Sequence, residues 1–209
     1  MYDYLLKTLL IGDENVGKST LLSSYNFNKL FLETNSTIGV DFFTTMIDWN
    51  KKKVKIQVWD CAGNHIYNNI VSSYYNSVVA ALVVFDLANR ESFKNVDKWI
   101  SDFNRAKQKY SYVLLVGNYI DGTINVTNEE IRKKCSKYKI GYVEVNSSNI
   151  NSIQKMFKQL VETILEENRL NPDWYKNNKG FNTNTNYTKF YSIDEEPANK
   201  CCNNCCVIM

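Results

Sequence analysis

The sequence has no apolar run that approaches the ~20 residues of a membrane-spanning helix, so we expect no transmembrane segment. It also lacks a large excess of either charge, and its net charge of +3 gives no argument for binding nucleic acid. No internal repeat is present. The N-terminus passes directly into a strand pattern, so we expect no signal peptide. Hydrophobic residues (44%) and charged residues (22%) occur in the proportions of an ordinary soluble globular protein, and without a signal peptide we expect it in the cytosol.

Cysteine is scarce in the body of the chain and crowded at its end. Two cysteines lie in the body and four in the last nine residues: Cys61, Cys135, Cys201, Cys202, Cys205 and Cys206. A zinc site would need histidines or a second cysteine pair at finger spacing near the terminal cluster, and neither is there. A disulfide scaffold is not expected in a cytosolic chain of this length.

Apolar runs alternate with helical patterns over most of the chain. Residues 78–86 form a near-continuous apolar run, which is typical of a strand buried on both faces. The other predicted strands are residues 4–11, 42–49, 54–60, 112–117 and 141–146, and helical patterns begin near residues 20, 92, 127 and 150. This alternation predicts an α/β sheet with helices on both faces, where ligands bind beyond the carboxyl ends of the strands.

The composition changes after about Arg169. Residues 171–209 contain nine asparagines, and their apolar periodicity stops. We therefore predict a domain over residues 1–168 and a flexible tail over residues 169–209.

One motif directly follows the first predicted strand. It fits the pattern G-x-x-x-x-G-K-[ST] of a phosphate-binding loop and precedes a helix, which is the context that the motif needs. Its glycines allow a tight turn, and the helix N-terminus favours anions. The lysine can reach the β- and γ-phosphates of a nucleotide, and the serine hydroxyl can hold Mg²⁺. The nine residues are Gly12, Asp13, Glu14, Asn15, Val16, Gly17, Lys18, Ser19 and Thr20.

Four further motifs follow this loop in a fixed order. They are residues 37–42 (TIGVDF), 59–63 (WDCAG), 118–121 (NYID) and, as the weakest, 144–148 (EVNSS). Together with the loop, over residues 4 to about 168, they resemble the Ras-superfamily small GTPases. Residues 38–42, 55–59, 72–75 and 91–96 are similar to the Rab branch in particular.

The resemblance implies a three-layer P-loop fold with a six-stranded, mostly parallel sheet, and a site for GTP or GDP with Mg²⁺. Ser19, Thr37 and Asp60 would hold the metal, and the Gly63 N–H would contact the γ-phosphate. Asn118 and Asp121 would recognise guanine. The expected nucleotide contacts beyond the loop are Asp60, Cys61, Ala62, Gly63, Asn64, Asn118, Tyr119, Ile120, Asp121 and Ser147. The expected effector region is Thr34, Asn35, Ser36, Thr37, Ile38, Gly39, Val40, Asp41 and Phe42.

The resemblance implies that Lys18 and the residue at position 64, here Asn64, act in catalysis. The sequence departs from the family pattern at two places that bear on this role. Asn64 stands where the family has a water-orienting glutamine, and it is one methylene shorter. Because phosphoryl transfer depends on positioning, we expect slow intrinsic hydrolysis. Glu14 and Asn15 stand where the family has small residues, and we expect Glu14 to obstruct an arginine supplied by a partner.

Other departures affect the base pocket. Tyr119 replaces a lysine whose stem lies on guanine, and a tyrosine can stack there instead. The backbone N–H of Ser147 can still reach the guanine carbonyl, although the family's lysine beside it is absent. By spacing, the base-stacking aromatic falls at Leu30, next to Phe31. We expect guanine to bind more weakly than is typical.

The last four residues, CVIM, fit the prenylation signal C-a-a-X, and the terminal Met favours a farnesyl group on Cys206. Rab-type proteins more commonly carry two geranylgeranyl groups on a cysteine pair, which Cys205 and Cys206 supply, so both alternatives stay open. One lipid anchors only marginally, and residues 171–209 carry no excess of basic side chains. The second anchor would therefore be another lipid, on Cys205, Cys201 or Cys202.

The leading hypothesis is a Rab-like GTPase switch in vesicle traffic, anchored to the cytoplasmic face of a membrane, with a cytosolic pool when escorted. The resemblance implies effectors, an exchange factor, an activating protein and a prenyl-binding escort protein as partners. The alternative is an effector-recruiting GTP-binding module with little or no hydrolysis, which the residues at positions 14, 15 and 64 favour. A small-molecule P-loop kinase is rejected, because the motifs at residues 60–63 and 118–121 have no place in it.

Overall fold

The computed structural model describes residues 2–27, 37–75, 78–107, 111–170 and 181–183. Its central feature is a sheet with the strand order β2-β3-β1-β4-β5-β6. The strands are β1 (Tyr4–Ile11), β2 (Val40–Trp49), β3 (Lys52–Cys61), β4 (Ala80–Asp86), β5 (Tyr112–Tyr119) and β6 (Gly141–Asn146). Within this set only β2 runs antiparallel to its neighbour, β3. The predicted six-stranded, mostly parallel sheet is confirmed.

Five α-helices accompany the sheet in the described part of the chain. They are α1 (Lys18–Phe27), α2 (Asn68–Ser72), α3 (Arg90–Ala106), α4 (Asn128–Tyr138) and α5 (Ile150–Leu170). All of them are too short or too polar to span a lipid bilayer. The predicted helical patterns near residues 20, 92, 127 and 150 correspond to α1, α3, α4 and α5, whereas α2 and the 3₁₀ turn before it (His65–Tyr67) were not predicted.

The apolar side chains form two clusters, one on each face of the sheet. Strand β1 contributes to both, because successive side chains point to opposite faces: Leu10 joins one cluster and Leu9 the other. Helices α1 and α5 cover the first face, and α2, α3 and α4 cover the second. The predicted arrangement, with helices on both faces of the sheet, is therefore confirmed.

Local sequence signals explain where several elements begin and turn. Asn89 caps α3, since its side chain accepts a hydrogen bond from the Glu91 N–H at 2.9 Å. Thr127 and Glu130 form a reciprocal capping box at the start of α4. The β2–β3 hairpin turns at Asn50 and Lys51, which both have positive φ (47° and 62°), as a two-residue turn of type I′ requires.

A seventh strand, β7 (Phe181–Thr183), comes from the tail and pairs antiparallel with Tyr4–Leu6 of β1. This short strand was not predicted from the sequence. The reason lies in the register of the sheet, because β4 pairs with β1 only from Thr8 onward. The first half of β1 therefore has an open edge on that side, and such an edge accepts a further strand.

Phe157 of α5 is fully buried and contacts the Tyr25 ring edge-on, with 5.1 Å between centroids. Replacing it with alanine should lower the free energy of unfolding by about 3–5 kcal/mol, because the cavity would not close completely. Ile124→Ala is the control: this side chain is 53% exposed, and surface changes stay within about 0.5 kcal/mol. Urea denaturation at one fixed nucleotide concentration measures both. Equal effects of the two changes would contradict the packing described.

Candidate nucleotide-binding site

The loop between β1 and α1 lies at the carboxyl end of the sheet and is packed tightly against its neighbours. Gly12 has a φ of 146°, and a Cβ atom there would lie 2.2 Å from the carbonyl oxygen of Val84 in β4. Gly17 has a φ of 80°, and a Cβ atom there would lie 2.4 Å from Nδ2 of Asn118. Both glycines of the motif are thus required by conformation and by space.

Lys18 is 7% exposed, and its ammonium group lies inside this loop. Nζ donates hydrogen bonds to the carbonyl oxygens of Gly12 (3.1 Å) and Asp13 (2.6 Å). Burial lowers the pKa of Lys18, and the nearby carboxylate of Asp60 partly offsets this effect. Because its partners among the described residues are carbonyl oxygens and a nearby carboxylate, this buried cation is well suited to meet phosphate oxygens.

Three oxygen-bearing side chains converge beside Lys18. The Ser19 hydroxyl donates to Oδ2 of Asp60 in a short hydrogen bond and lies 2.9 Å from the Thr37 hydroxyl. Asp60 is 4% exposed, and its Oδ1 has no hydrogen-bond partner among the described residues. Burial raises the pKa of Asp60, against the opposing effects of Ser19 and Lys18. Hydroxyl and carboxylate oxygens are the ligands that Mg²⁺ prefers, so this donor set, with its unused oxygen, fits that ion.

Gly63 lies directly against the phosphate loop. A Cβ atom at this position would lie 2.4 Å from both the carbonyl carbon of Asp13 and the backbone nitrogen of Glu14. Cys61 and Ala62 before it are buried, and burial raises the pKa of the Cys61 thiol to about 12. The structure therefore places the backbone of residue 63 beside the loop that is predicted to hold the phosphates.

Asn64 continues this segment, and its side chain is used locally. Its Oδ1 accepts a hydrogen bond from the Ile66 N–H at 2.9 Å, and its backbone carbonyl accepts one from Tyr67 at 3.0 Å. Asn64 thus starts the 3₁₀ turn, a role in which asparagine is common. Asn64 was predicted to contact nucleotide and to act in catalysis, whereas the preference of asparagine for turns is the sequence signal for the role seen here.

Asn118 joins the predicted base site to the phosphate loop. It is fully buried, its Nδ2 donates to the carbonyl oxygen of Val16 (2.9 Å), and its Oδ1 accepts from the Ser147 hydroxyl (2.9 Å). Three loops that are distant in sequence therefore meet at one side chain. Tyr119 is half-buried and donates from its hydroxyl to the carbonyl oxygen of Gly122 (3.1 Å), whereas Asp121 is exposed.

The predicted effector region is described from Thr37 onward. Ile38 is 82% exposed. The ring centroids of Phe42 and Trp59 lie 5.0 Å apart, and those of Trp59 and Tyr74 lie 4.9 Å apart. This row of aromatic side chains brings β2, β3 and the turn after α2 together, and it was not predicted as a surface.

Some predicted site residues lie outside the described residues, and others were missed. Outside are Thr34, Asn35 and Ser36, the base-stacking candidates Leu30 and Phe31, and the cysteines Cys201, Cys202, Cys205 and Cys206. Missed are Asn95 and Trp99 of α3, which both donate to the carboxylate of Asp13. No local signal predicts contacts across more than 80 residues of sequence.

Comparison with known proteins agrees with this geometry. The sequence model of the Ras family matches residues 7–166. The chain is 38% identical to the Ras-related protein Rab-11A of Dictyostelium discoideum over 165 residues, which are 78% of this chain and 77% of that protein. It is 36% identical to the GTP-binding protein ypt3 of Schizosaccharomyces pombe and to the Ras-related protein RABA2b of Arabidopsis thaliana, in each case over 78% of this chain and 77% of the relative.

Gly17→Ala should abolish the binding of GDP, because the new methyl group would displace the side chain of Asn118. Gly122→Ala is a matched control, because Gly122 also has a positive φ, of 82°. A Cβ atom added there would lie 3.7 Å from the Cβ of Ala88, which is an ordinary contact distance. Both variants bear the strain of positive φ, about 1–2 kcal/mol. Titration with a fluorescent GDP analogue distinguishes them, and similar losses in both would show that the contact with Asn118 is unimportant.

Proposed function

Because the chain belongs to the Ras family, as a Rab-type small GTPase that binds GTP or GDP with Mg²⁺ and hydrolyses GTP, we propose that it is a membrane-anchored switch in vesicle traffic. The observation that carries the proposal is the convergence of Ser19, Thr37 and Asp60 beside the buried ammonium group of Lys18. It joins the phosphate loop to the effector region at one point.

Each of these groups has a distinct task in the proposed site. Lys18 neutralises charge on the β- and γ-phosphates from within the loop. Ser19, Thr37 and Asp60 hold Mg²⁺, which supplies further positive charge to the same phosphates when it is bound. Asn118 and Ser147 keep the base loops in contact with the phosphate loop, and exposed Asp121 offers its carboxylate to the guanine edge.

The switch arises because Thr37 belongs both to the metal site and to the effector region. Its hydroxyl lies 2.9 Å from Ser19, while the neighbouring Ile38 is 82% exposed. Contacts that exist only with a γ-phosphate would fix Thr37 and Gly63, and their loss after hydrolysis would release both segments. Partners that bind the exposed side chains next to Thr37 would then distinguish the GTP form from the GDP form.

We propose that intrinsic hydrolysis is slow. The Asn64 side chain is shorter than glutamine, and its oxygen is already engaged by the Ile66 N–H. It therefore has to leave this hydrogen bond before it can orient a water molecule, and it then reaches less far. Misplacement by about 1 Å can reduce a rate by about 100-fold.

Asn64→Gln should raise the single-turnover rate of GTP hydrolysis by about 10- to 100-fold, since the longer side chain can reach the attacking water. Asn69→Gln makes the same chemical change at an exposed position of α2 and serves as the control. Phosphate release from preloaded, purified protein is the measurement. An unchanged rate in Asn64→Gln would show that this position does not limit hydrolysis.

We further propose that residues 1–168 form the GTPase domain and that residues 169–209 connect it to the membrane through lipids on Cys206 and Cys205. The support is the terminal CVIM sequence and the absence of a basic excess in residues 171–209, which favours a second lipid over an electrostatic anchor. An escort protein that covers the prenyl groups would account for a cytosolic pool.

Imaging of a fluorescently tagged chain tests the anchor. The intact chain should mark internal membranes, and the double variant Cys205→Ser, Cys206→Ser should be spread through the cytosol, because no lipid can then be attached at the pair. Cys135→Ser, a buried position in α4, is the control for a general effect of losing a thiol. A uniform cytosolic signal from the intact chain would contradict membrane anchoring.

A further inference from the structure

The carboxylate of Asp13 in the phosphate loop is held by helix α3. Its Oδ2 accepts a hydrogen bond from Nδ2 of Asn95 and its Oδ1 accepts one from Nε1 of Trp99, both at 2.7 Å. Trp99 is 7% exposed, and Asn95 and Asp13 are half-buried. The two donors are four residues apart, so they share one face of the helix. Each oxygen of the carboxylate thus has its own donor.

An acidic side chain in a loop that binds phosphates needs such an arrangement. Left free, the Asp13 carboxylate could turn toward the phosphates and repel them, whereas two hydrogen bonds keep it directed at α3. The backbone of the same residue then has a fixed place. Its carbonyl oxygen accepts from Lys18 Nζ at 2.6 Å, and its carbonyl carbon lies against Gly63.

We propose that Asn95 and Trp99 are positioning residues for nucleotide binding, and that they favour the triphosphate over the diphosphate. They act through Asp13, whose backbone fixes the positions of the Lys18 ammonium group and of the Gly63 backbone. Because Gly63 is the proposed contact to the γ-phosphate, which only GTP carries, a displaced Asp13 weakens the binding of GTP more than that of GDP. The inference rests on the nucleotide site proposed above.

Asp13, Asn95 and Trp99 line one wall of an open cavity of about 330 Å³. This cavity lies between the phosphate loop, residues 63–64 and α3. Lys98 lines this cavity from the same helix and is exposed. It provides a control that changes the lining of the cavity without removing either donor to Asp13.

The test compares dissociation rates of fluorescent GTP and GDP analogues from the full chain in the presence of Mg²⁺. Trp99→Phe removes the N–H donor but keeps an aromatic ring. Asn95→Asp replaces the second donor with a carboxylate that repels Asp13. Hydrogen bonds to charged groups contribute more free energy than those between neutral groups. We therefore expect the GTP analogue to dissociate about tenfold faster from each variant. Dissociation of the GDP analogue should change less, and Lys98→Gln should behave as the unaltered chain.

A rescue separates positioning from a general loss of packing. Adding Asp13→Asn to Asn95→Asp exchanges the two groups, so that the amide at position 13 donates to the carboxylate at position 95. The ratio of the two dissociation rates should return toward that of the unaltered chain. The inference is overturned if each single variant leaves the ratio of the GTP and GDP dissociation rates unchanged, or if the double variant does not move this ratio back. Either result leaves the proposed nucleotide site standing. An unaltered chain that binds neither analogue overturns both.

Discussion

The phosphate loop is closed by contacts at three glycines that leave no space for a Cβ atom. At Gly12 the contact is the Val84 carbonyl, at Gly17 it is the Asn118 side chain, and at Gly63 it is the peptide between Asp13 and Glu14. Each contact joins the loop to a different strand or loop of the carboxyl edge. The site therefore depends on positions where side chains are absent as much as on those that carry charge, and a single methyl group at one of them would separate parts that must act together.

Within this closed loop, burial and charge oppose each other. Lys18 and Asp60 are both almost fully buried, and burial disfavours the charged form of each, which lowers the pKa of the lysine and raises that of the aspartate. Each also stabilises the charge of the other. Oδ1 of Asp60, which has no hydrogen-bond partner within the described part of the chain, is the atom that a bound cation would contact. Binding of nucleotide and metal together would complete the charge balance of the site.

The fold could be predicted because its signals are local. The buried run of β4, the strand before the glycine loop and the helix start near Thr127 are each visible within about ten residues of sequence. The resemblance to small GTPases also predicted Ser19, Thr37 and Asp60 as metal ligands, and the structure brings these three side chains together.

What could not be predicted depends on distant partners or on competing uses of one side chain. The hydrogen bonds from Asn95 and Trp99 to Asp13 link positions more than 80 residues apart, and no alternation or spacing indicates them. Strand β7 forms because β1 has an open edge, which only the register of the sheet reveals. Asn64 was interpreted by its chemistry alone, whereas its oxygen is engaged in its own turn.

The position of β7 also limits how far the domain can stand from its proposed anchor. It pairs with the start of β1, at the end of the sheet opposite the phosphate loop. From Thr183 to Cys206 there are 23 residues, with a greatest reach of roughly 80 Å, whereas a tether counted from the end of α5 at Leu170 would have 36 residues and roughly 120 Å. With a lipid on Cys206, pairing of β7 would thus shorten the tether by about a third and start it from the end of the sheet that lies opposite the phosphate loop.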